Sequence, residues 1–392
     1  MPYDASVPRD ANQPLPGAPD PWAASAMPPF RSRPPYLMTE MISAEPALAE
    51  RLLHRLADDG SLAHLAAAVR NAATAEAPIV ATGNGTSEHA AMGIARLVTE
   101  ALDLPGGNEV RAVPALEAAL RPVRRGLLIA VSHEGGTEVT NEALRAATRG
   151  AATTALVTVG SGSPGAGLAD IVVATEEQDQ SWCHTVGYLS PLIVGLALAG
   201  HLADRRTDAL AVRALLDVGH DPHAAASVAA GLAATDRIIV VGAGADYGSA
   251  CELALKITEG ARLAAQAHEL ETLLHGHLVA ATRWTGLVLF LAATHAEPLV
   301  LDRARRVLEA ARRLGVTAAA IADESAASQL PEELTAAGRI VLPHTGRVPG
   351  AAGSLLASAM ALQVLTERLA RVRGVDPDTL GREEAERAAA HP

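Results

Sequence analysis

Lysine is nearly missing from this chain: of 32 basic residues, only Lys256 is a lysine. The bias toward arginine and alanine points to a GC-rich coding background, in which one surviving lysine invites a chemical reason. Cysteine is almost as scarce, at two residues, Cys183 and Cys251. Two cysteines give no disulfide framework and suit a reducing, cytoplasmic setting. Basic excess is lacking too, since the formal net charge is −12, which argues against nucleic acid or an anionic membrane as the main partner. No membrane-length apolar run is present. The most apolar stretch, "YLSPLIVGLALAGHLA", contains Pro191 and reads as a buried helix. The first 36 residues hold ten of the 24 prolines and little apolar periodicity. They read as a disordered or extended arm, without the cationic start and apolar core of a secretory leader.

At 392 residues the chain suits two domains, and it carries one pattern twice. "APIVATGNGTSEHAAMGIARLVTEAL" (77–102) parallels "DRIIVVGAGADYGSACELALKITEGA" (236–261): strand, Gly-x-Gly turn, long helix. Further on, "GLLIAVSHEGGT" answers "GLVLFLAATHAEP", "ATTALVTVG" answers "GVTAAAIAD", and "ADIVVATEE" answers "GRIVLPHTG". Four apolar strands alternating with helices in each copy predict two α/β domains with mainly parallel sheets, over 37–225 and 226–392. Before the first strand, residues from Met38 read as a helical preamble split at Pro46 and Gly60.

Neither glycine turn is a dinucleotide fingerprint, because Glu88 and Tyr247 stand where the third glycine is required. Open α/β sheets nevertheless bind ligands beyond the carboxyl ends of their strands, so Gly83–Ser87 and Ser132–Thr137 are expected to line one crevice. A glycine turn feeding a helix offers free amides to an anion. Glu134, itself an anion, sits in such a turn.

In order and spacing these motifs resemble the double sugar-isomerase (SIS) family over roughly residues 37–380, the likeness being to the isomerase half of glucosamine-6-phosphate synthase. "MTEMISAEP" is similar to that family's opening helix, "GNGTS" to its Gly-x-Gly-Thr-Ser loop, and "SHEGGT" to its Ser-x-Ser-Gly-x-Thr phosphate loop. "CELALKITE" with "LLHGHL" is similar to the stretch that carries the acid and base groups. The resemblance does not extend to a glutaminase domain. It implies two tandem three-layer α/β/α domains, a homodimer with sites built from both chains, and aldose–ketose isomerisation or amino-sugar deamination through an enediol. No metal or organic cofactor is needed for such a proton shuttle.

The same resemblance implies roles for individual residues. Glu259 is the shared base for C1 and C2, His275 assists ring opening in a neighbouring subunit, and Lys256 steadies an oxyanion or holds Glu259 ionised. Gly85, Thr86, Ser87, Ser132, His133, Glu134, Gly135 and Thr137 line the substrate, with Trp182 stacking on a sugar face or plugging the domain interface. Each has a plainer reading. Glu252, Lys256 and Glu259 lie one helical turn apart, the spacing of ordinary surface ion pairs worth about 0.3–0.5 kcal/mol. His268, Glu271, His275 and His277 fit no common zinc spacing.

Two departures bear on the chemistry. The family's imine-forming lysine near the C-terminus has no counterpart in "RGVDPDTLGREEAERAAAHP", so imine chemistry through the tail is not expected. Glu134 replaces the second serine of the phosphate loop. Two unit charges about 4 Å apart at a dielectric near 20 interact by about 4 kcal/mol. Glu134 therefore either turns outward, leaving a phosphate site, or faces the pocket and selects a neutral or amino sugar. The alternatives to an isomerase are a regulatory protein that binds a sugar phosphate without turnover, and a specialised enzyme acting on an unphosphorylated or modified sugar.

Overall fold

The computed structural model describes residues 9–24, 28, 31, 33–102, 109–292, 297–348 and 350–379. Strands β1 (Ile79–Gly83), β2 (Arg111–Pro114), β3 (Leu127–Val131), β4 (Thr153–Thr158) and β5 (Ile171–Ala174) form a sheet in the order β2-β1-β3-β4-β5. Strands β6 (Arg237–Gly242), β7 (Ala264–Glu269), β8 (Thr285–Leu291), β9 (Thr317–Asp323) and β10 (Gly338–Leu342) repeat that order as β7-β6-β8-β9-β10. Every pairing in both sheets is parallel. In this order the chain leaves β1 and β3 toward opposite faces, which opens a crevice at their carboxyl ends.

Parallel strands covered on both faces read as unbroken apolar runs, and β1, β3 and β8 are buried at every position. Alternate residues serve two layers. Val80, Leu128, Ala130 and Leu156 pack on α4 (Ala115–Leu120) and α5 (Glu138–Arg149). Ile79, Ile129 and Val157 face inward into a core that also takes Ile238, Val240, Phe290 and Ile321 of the second sheet. Between the two sheets lie α3 (Thr86–Leu102), α6 (Val186–Leu202), α9 (Ala245–Gly260) and α13 (Gly350–Val372). The second sheet's outer layer is α10 (Leu270–Leu274), α11 (Pro298–Arg313) and α12 (Glu324–Gln329).

Among the described residues each sheet has five strands, not four, which is the first difference from the sequence pattern. The additions, β2 and β7, are edge strands. β2 has four residues ending in Pro114, and β7 carries Gln266, His268 and Glu269, so neither shows an apolar run. The preamble also differs. α1 (Leu37–Leu56) continues through Pro46, and the break falls just before α2 (Gly60–Thr74). A helix-interior proline costs about 3 kcal/mol. Burial of Met41, Ile42, Leu48, Leu52 and Leu53 on both sides of it outweighs that cost. α7 (Ala209–Gly219) and α8 (Pro222–Leu232) connect the halves, and α8, which spans residue 225, packs on α13 and β10. Among the described residues no helix is long and apolar enough to cross a membrane; α6 is a buried helix.

Residues 9–24 of the proline-rich arm form no helix or strand but lie against the first sheet's loops, with Leu15 buried in the shared core. Arg51 joins Glu177 in a fork and also donates to the Asn12 carbonyl, which ties the arm to α1.

Gly83 and Gly242 close the equivalent turns of the two halves for one reason. A Cβ at Gly83 would stand 2.5 Å from the Ser87 carbonyl, and one at Gly242 would stand 2.5 Å from the Asp246 oxygen. Backbone atoms cannot give way as side-chain ends can. Gly83→Ala and Gly242→Ala are each expected to cost about 1–3 kcal/mol in urea unfolding. Gly60→Ala, with open space at its Cβ, is the control and should leave the midpoint unchanged or raised.

Candidate functional site

The crevice is built by two turns. After β1 the chain turns through Gly85, held at φ +55°, into α3. After β3 it turns through Gly135, at φ +69°, into α5. A hydrogen bond of 3.0 Å from Asn84 Nδ2 to Thr140 Oγ1 joins the first turn to the start of α5. Ser132 is buried with its hydroxyl 3.4 Å from that of Thr137, which is exposed at the N-cap of α5 and makes no side-chain cap bond. Ser87 is half-buried and Gly85 exposed.

Not every residue of these turns faces the crevice. His133 is buried, its Nε2 accepting from the Asp179 amide at 3.0 Å, so the ring is neutral with the hydrogen on Nδ1. Burial, with His184 5.1 Å away between ring centroids, pushes its pKa down to about 3. Thr86 is also buried, and its hydroxyl donates to Glu252 rather than outward. Glu134 is half-buried, and its backbone carbonyl takes the Trp22 indole N–H at 3.0 Å.

The charged cluster sits on α9. Lys256 is only 1% exposed, with Nζ 2.6 Å from Glu259 Oε2 and 3.7 Å from Glu252 Oε1. Glu252, equally buried, accepts from Thr86 Oγ1 at 3.2 Å and from His89 Nδ1 at 2.7 Å, both on α3. A continuous path of polar contacts therefore runs from the first glycine turn through Glu252 and Lys256 to Glu259. Burial opposes charge on Lys256, but the pull of Glu252, with Glu259, raises its pKa. Burial likewise opposes charge on Glu252, and Lys256, His89 and Thr86 more than offset it, so its pKa is lowered. Glu259, at 22% side-chain exposure, is the member of the trio that reaches the surface.

Glu252 is the site residue that sequence reasoning missed, having entered only as a member of a helical ion-pair row. Its partners Thr86 and His89 stand 166 and 163 residues away, beyond the reach of local spacing. Trp182 is half-buried in a segment that abuts the same helix, where Cys183 Sγ lies 3.9 Å from the Lys256 carbonyl. Burial pushes the Cys183 thiol upward.

His275 stands apart from this cluster within one chain. Its side chain is 74% exposed, and Nε2 lies 2.9 Å from Glu271. His268 and His277 stack at 4.4 Å between centroids. Among the described residues no group of three or more histidine, cysteine, aspartate or glutamate side chains is placed to hold a metal ion.

Removing the ammonium should expose its function as the counter-charge. In Lys256→Met, Glu252 keeps its burial but loses its main cation, a change that typically costs about 3–5 kcal/mol. The sign with pH follows. In the parent the Glu252 carboxyl is held below its usual 4.5, so its contribution is present above that value and is lost in acid. In the variant the folded state binds the proton more tightly than the unfolded state, so stability falls as pH rises. Urea unfolding should therefore show a large loss at pH 7 that shrinks toward pH 4. An equal loss at both would mean that Lys256 acts by packing alone.

In sequence comparison no family model and no curated protein matches the chain. Solved structures do. The C-terminal domain of glucosamine-fructose-6-phosphate aminotransferase from Francisella tularensis superposes with a TM-score of 0.72 at 19% identity, covering 87% of this chain and 98% of that one. Tagatose-6-phosphate ketose/aldose isomerase from Escherichia coli gives 0.69 at 19% identity, over 90% and 96%. Glucosamine-6-phosphate deaminase from Thermotoga maritima gives 0.65 at 16% identity, over 88% and 97%. At these identities the likeness is one of architecture, and it extends across both halves: the chain has the tandem SIS fold.

Proposed function

We propose that this protein acts on a phosphorylated sugar or amino sugar, by aldose–ketose isomerisation or amino-sugar deamination, with Glu259 as the proton-transferring base. The observation that carries the reading is the path from the first glycine turn to Glu259 through two buried charges. Surface ion pairs do not bury a lysine to 1% exposure. The three similar structures belong to proteins named for 6-phosphate sugars, which supports a phosphorylated ligand.

In this reading Ser87, Ser132, Thr137 and the turn amides hold the phosphate, and Glu134 directs its carboxylate away from it. Glu259 takes the proton from C2 of the opened aldose, leaving an enediol, and returns it to C1. Electrons from the broken C–H bond form the C1–C2 double bond while the C1 carbonyl oxygen gains a proton from water. When C1 takes the proton back with that electron pair, the C2 hydroxyl gives its proton to water and C2 becomes the carbonyl. The burial of Lys256 favours a positioning role: through its 2.6 Å contact it holds the Glu259 carboxylate in place, rather than touching the substrate itself. His275, exposed on its own protomer, is suited to opening the ring in the site of a partner in a homodimer.

Solvent exchange tests this directly. With ketose and amino-sugar 6-phosphates in deuterated water, the parent should introduce deuterium at C1 or C2, and Glu259→Gln should slow this by about 10²–10⁴-fold. An ammonia assay on the same mixtures separates deamination from isomerisation. Ligand binding without exchange in either protein would replace the enzyme with a sugar-phosphate-binding regulatory protein.

A further inference from the structure

The N-terminal arm meets the first half at one place in particular: the loops that follow β3, β4 and β5. The Trp22 indole donates to the Glu134 carbonyl, and a Cβ on Gly136 would stand 2.5 Å from its six-membered ring. Ala18 fills the space beside Gly160, where a Cβ would come within 2.9 Å. The Pro16 carbonyl accepts from the Gln178 amide at 2.8 Å, and the Leu15 amide donates to Glu177 at 2.7 Å. These are the carboxyl ends of the strands, the edge at which open α/β sheets take their ligands. Glycine at 136 and 160 leaves room for the arm, so body and arm are cut to one another.

We propose that residues 9–22 are a resident wall of the crevice and that Trp22 is a specificity-determining residue, presenting an apolar ring to one face of the sugar; this rests on the sugar-binding reading above. Its only polar atom is spent on Glu134, so the side chain offers the ligand shape and a π face rather than a hydrogen bond. The same bond fixes the backbone of the turn that carries Glu134. A permanent wall fits better than a releasable strap. The arm is held by a buried leucine whose amide donates to Glu177, and by bonds from Arg51 and Arg213 to Asn12, none of which involves Trp22. Those anchors stay intact when Trp22 alone is changed.

The test is calorimetric titration of the full chain with hexose 6-phosphates, their unphosphorylated forms and inorganic phosphate, using the parent, Trp22→Ala and Trp22→Phe. Thermal melts check that each variant is folded. Trp22→Ala should weaken the best sugar ligand by about tenfold while leaving inorganic phosphate unchanged. Trp22→Phe, which keeps a ring without the N–H, should retain most of the affinity. Sugar binding unchanged in Trp22→Ala would overturn the wall, and tighter binding would overturn it too by making the arm a competitor. A parent that binds no sugar overturns the sugar-binding reading and the wall with it, whereas a binding parent with an indifferent variant overturns the wall alone.

Discussion

A fully buried ammonium organises this molecule. Taking Lys256 out of water carries a desolvation cost of several kcal/mol, which is recovered only where opposite charge and hydrogen bonds surround it. Glu252 and Glu259 supply the charge from the same helix, one turn before and one turn after. That leaves Glu252 buried as well, and its remaining lone pairs are met by Thr86 and His89 across the seam between the halves. Because an ionised carboxylate only accepts, His89 must carry its hydrogen on Nδ1. The requirement to satisfy one lysine thus locks α9 of the second half against α3 of the first. The relative placement of the glycine turn and Glu259 follows from it.

The two halves share a fold but not a division of labour. Each has a Gly-x-Gly turn entering a helix and a loop after the neighbouring strand. In the first half those elements present Ser87, Ser132 and Thr137. In the second, the turn is followed by Asp246, buried to 1%, whose carboxylate accepts the Ala292 amide at 3.0 Å just after β8. A carboxylate already occupies the place where an anion would dock. In the proposed reading the second half therefore contributes its helix charges to the seam, and the first half contributes the anion-accepting turn.

Much of this was legible in the sequence because the signals are local. Apolar runs of five to seven residues gave β1, β3 and β8, and the paired glycine turns gave the repeat. What escaped depended on distant partners. Edge strands β2 and β7 are recognisable only by the neighbour they pair with. Pro46 looks like a break until the burial on both sides of it is weighed. Prolines 14, 16, 19 and 21 speak for a loose arm, yet Leu15 buries itself alone, with no periodicity to announce it. His133, read as a turn residue facing ligand, is turned inward by the Asp179 amide, a bond across 46 residues. Glu252 reads as one more helical glutamate until Thr86 and His89 arrive from the other half.

Differences in exposure across the proposed site match what each step demands. A base that serves two carbons must be stationary, and a 2.6 Å contact with a buried ammonium holds Glu259 in place. Ring opening instead moves a proton to and from an oxygen, which calls for a group in contact with water. His275 has that character: it ends a five-residue helix, is followed by Gly276 at φ +118°, and projects 74% exposed beside Glu271. Glu271, ion-paired with Arg303 at 3.1 Å, orients the ring from one side and leaves the other free. In the proposed reaction, the rigid part of the chemistry is thus carried by the core of one protomer and the proton traffic by the surface of the next.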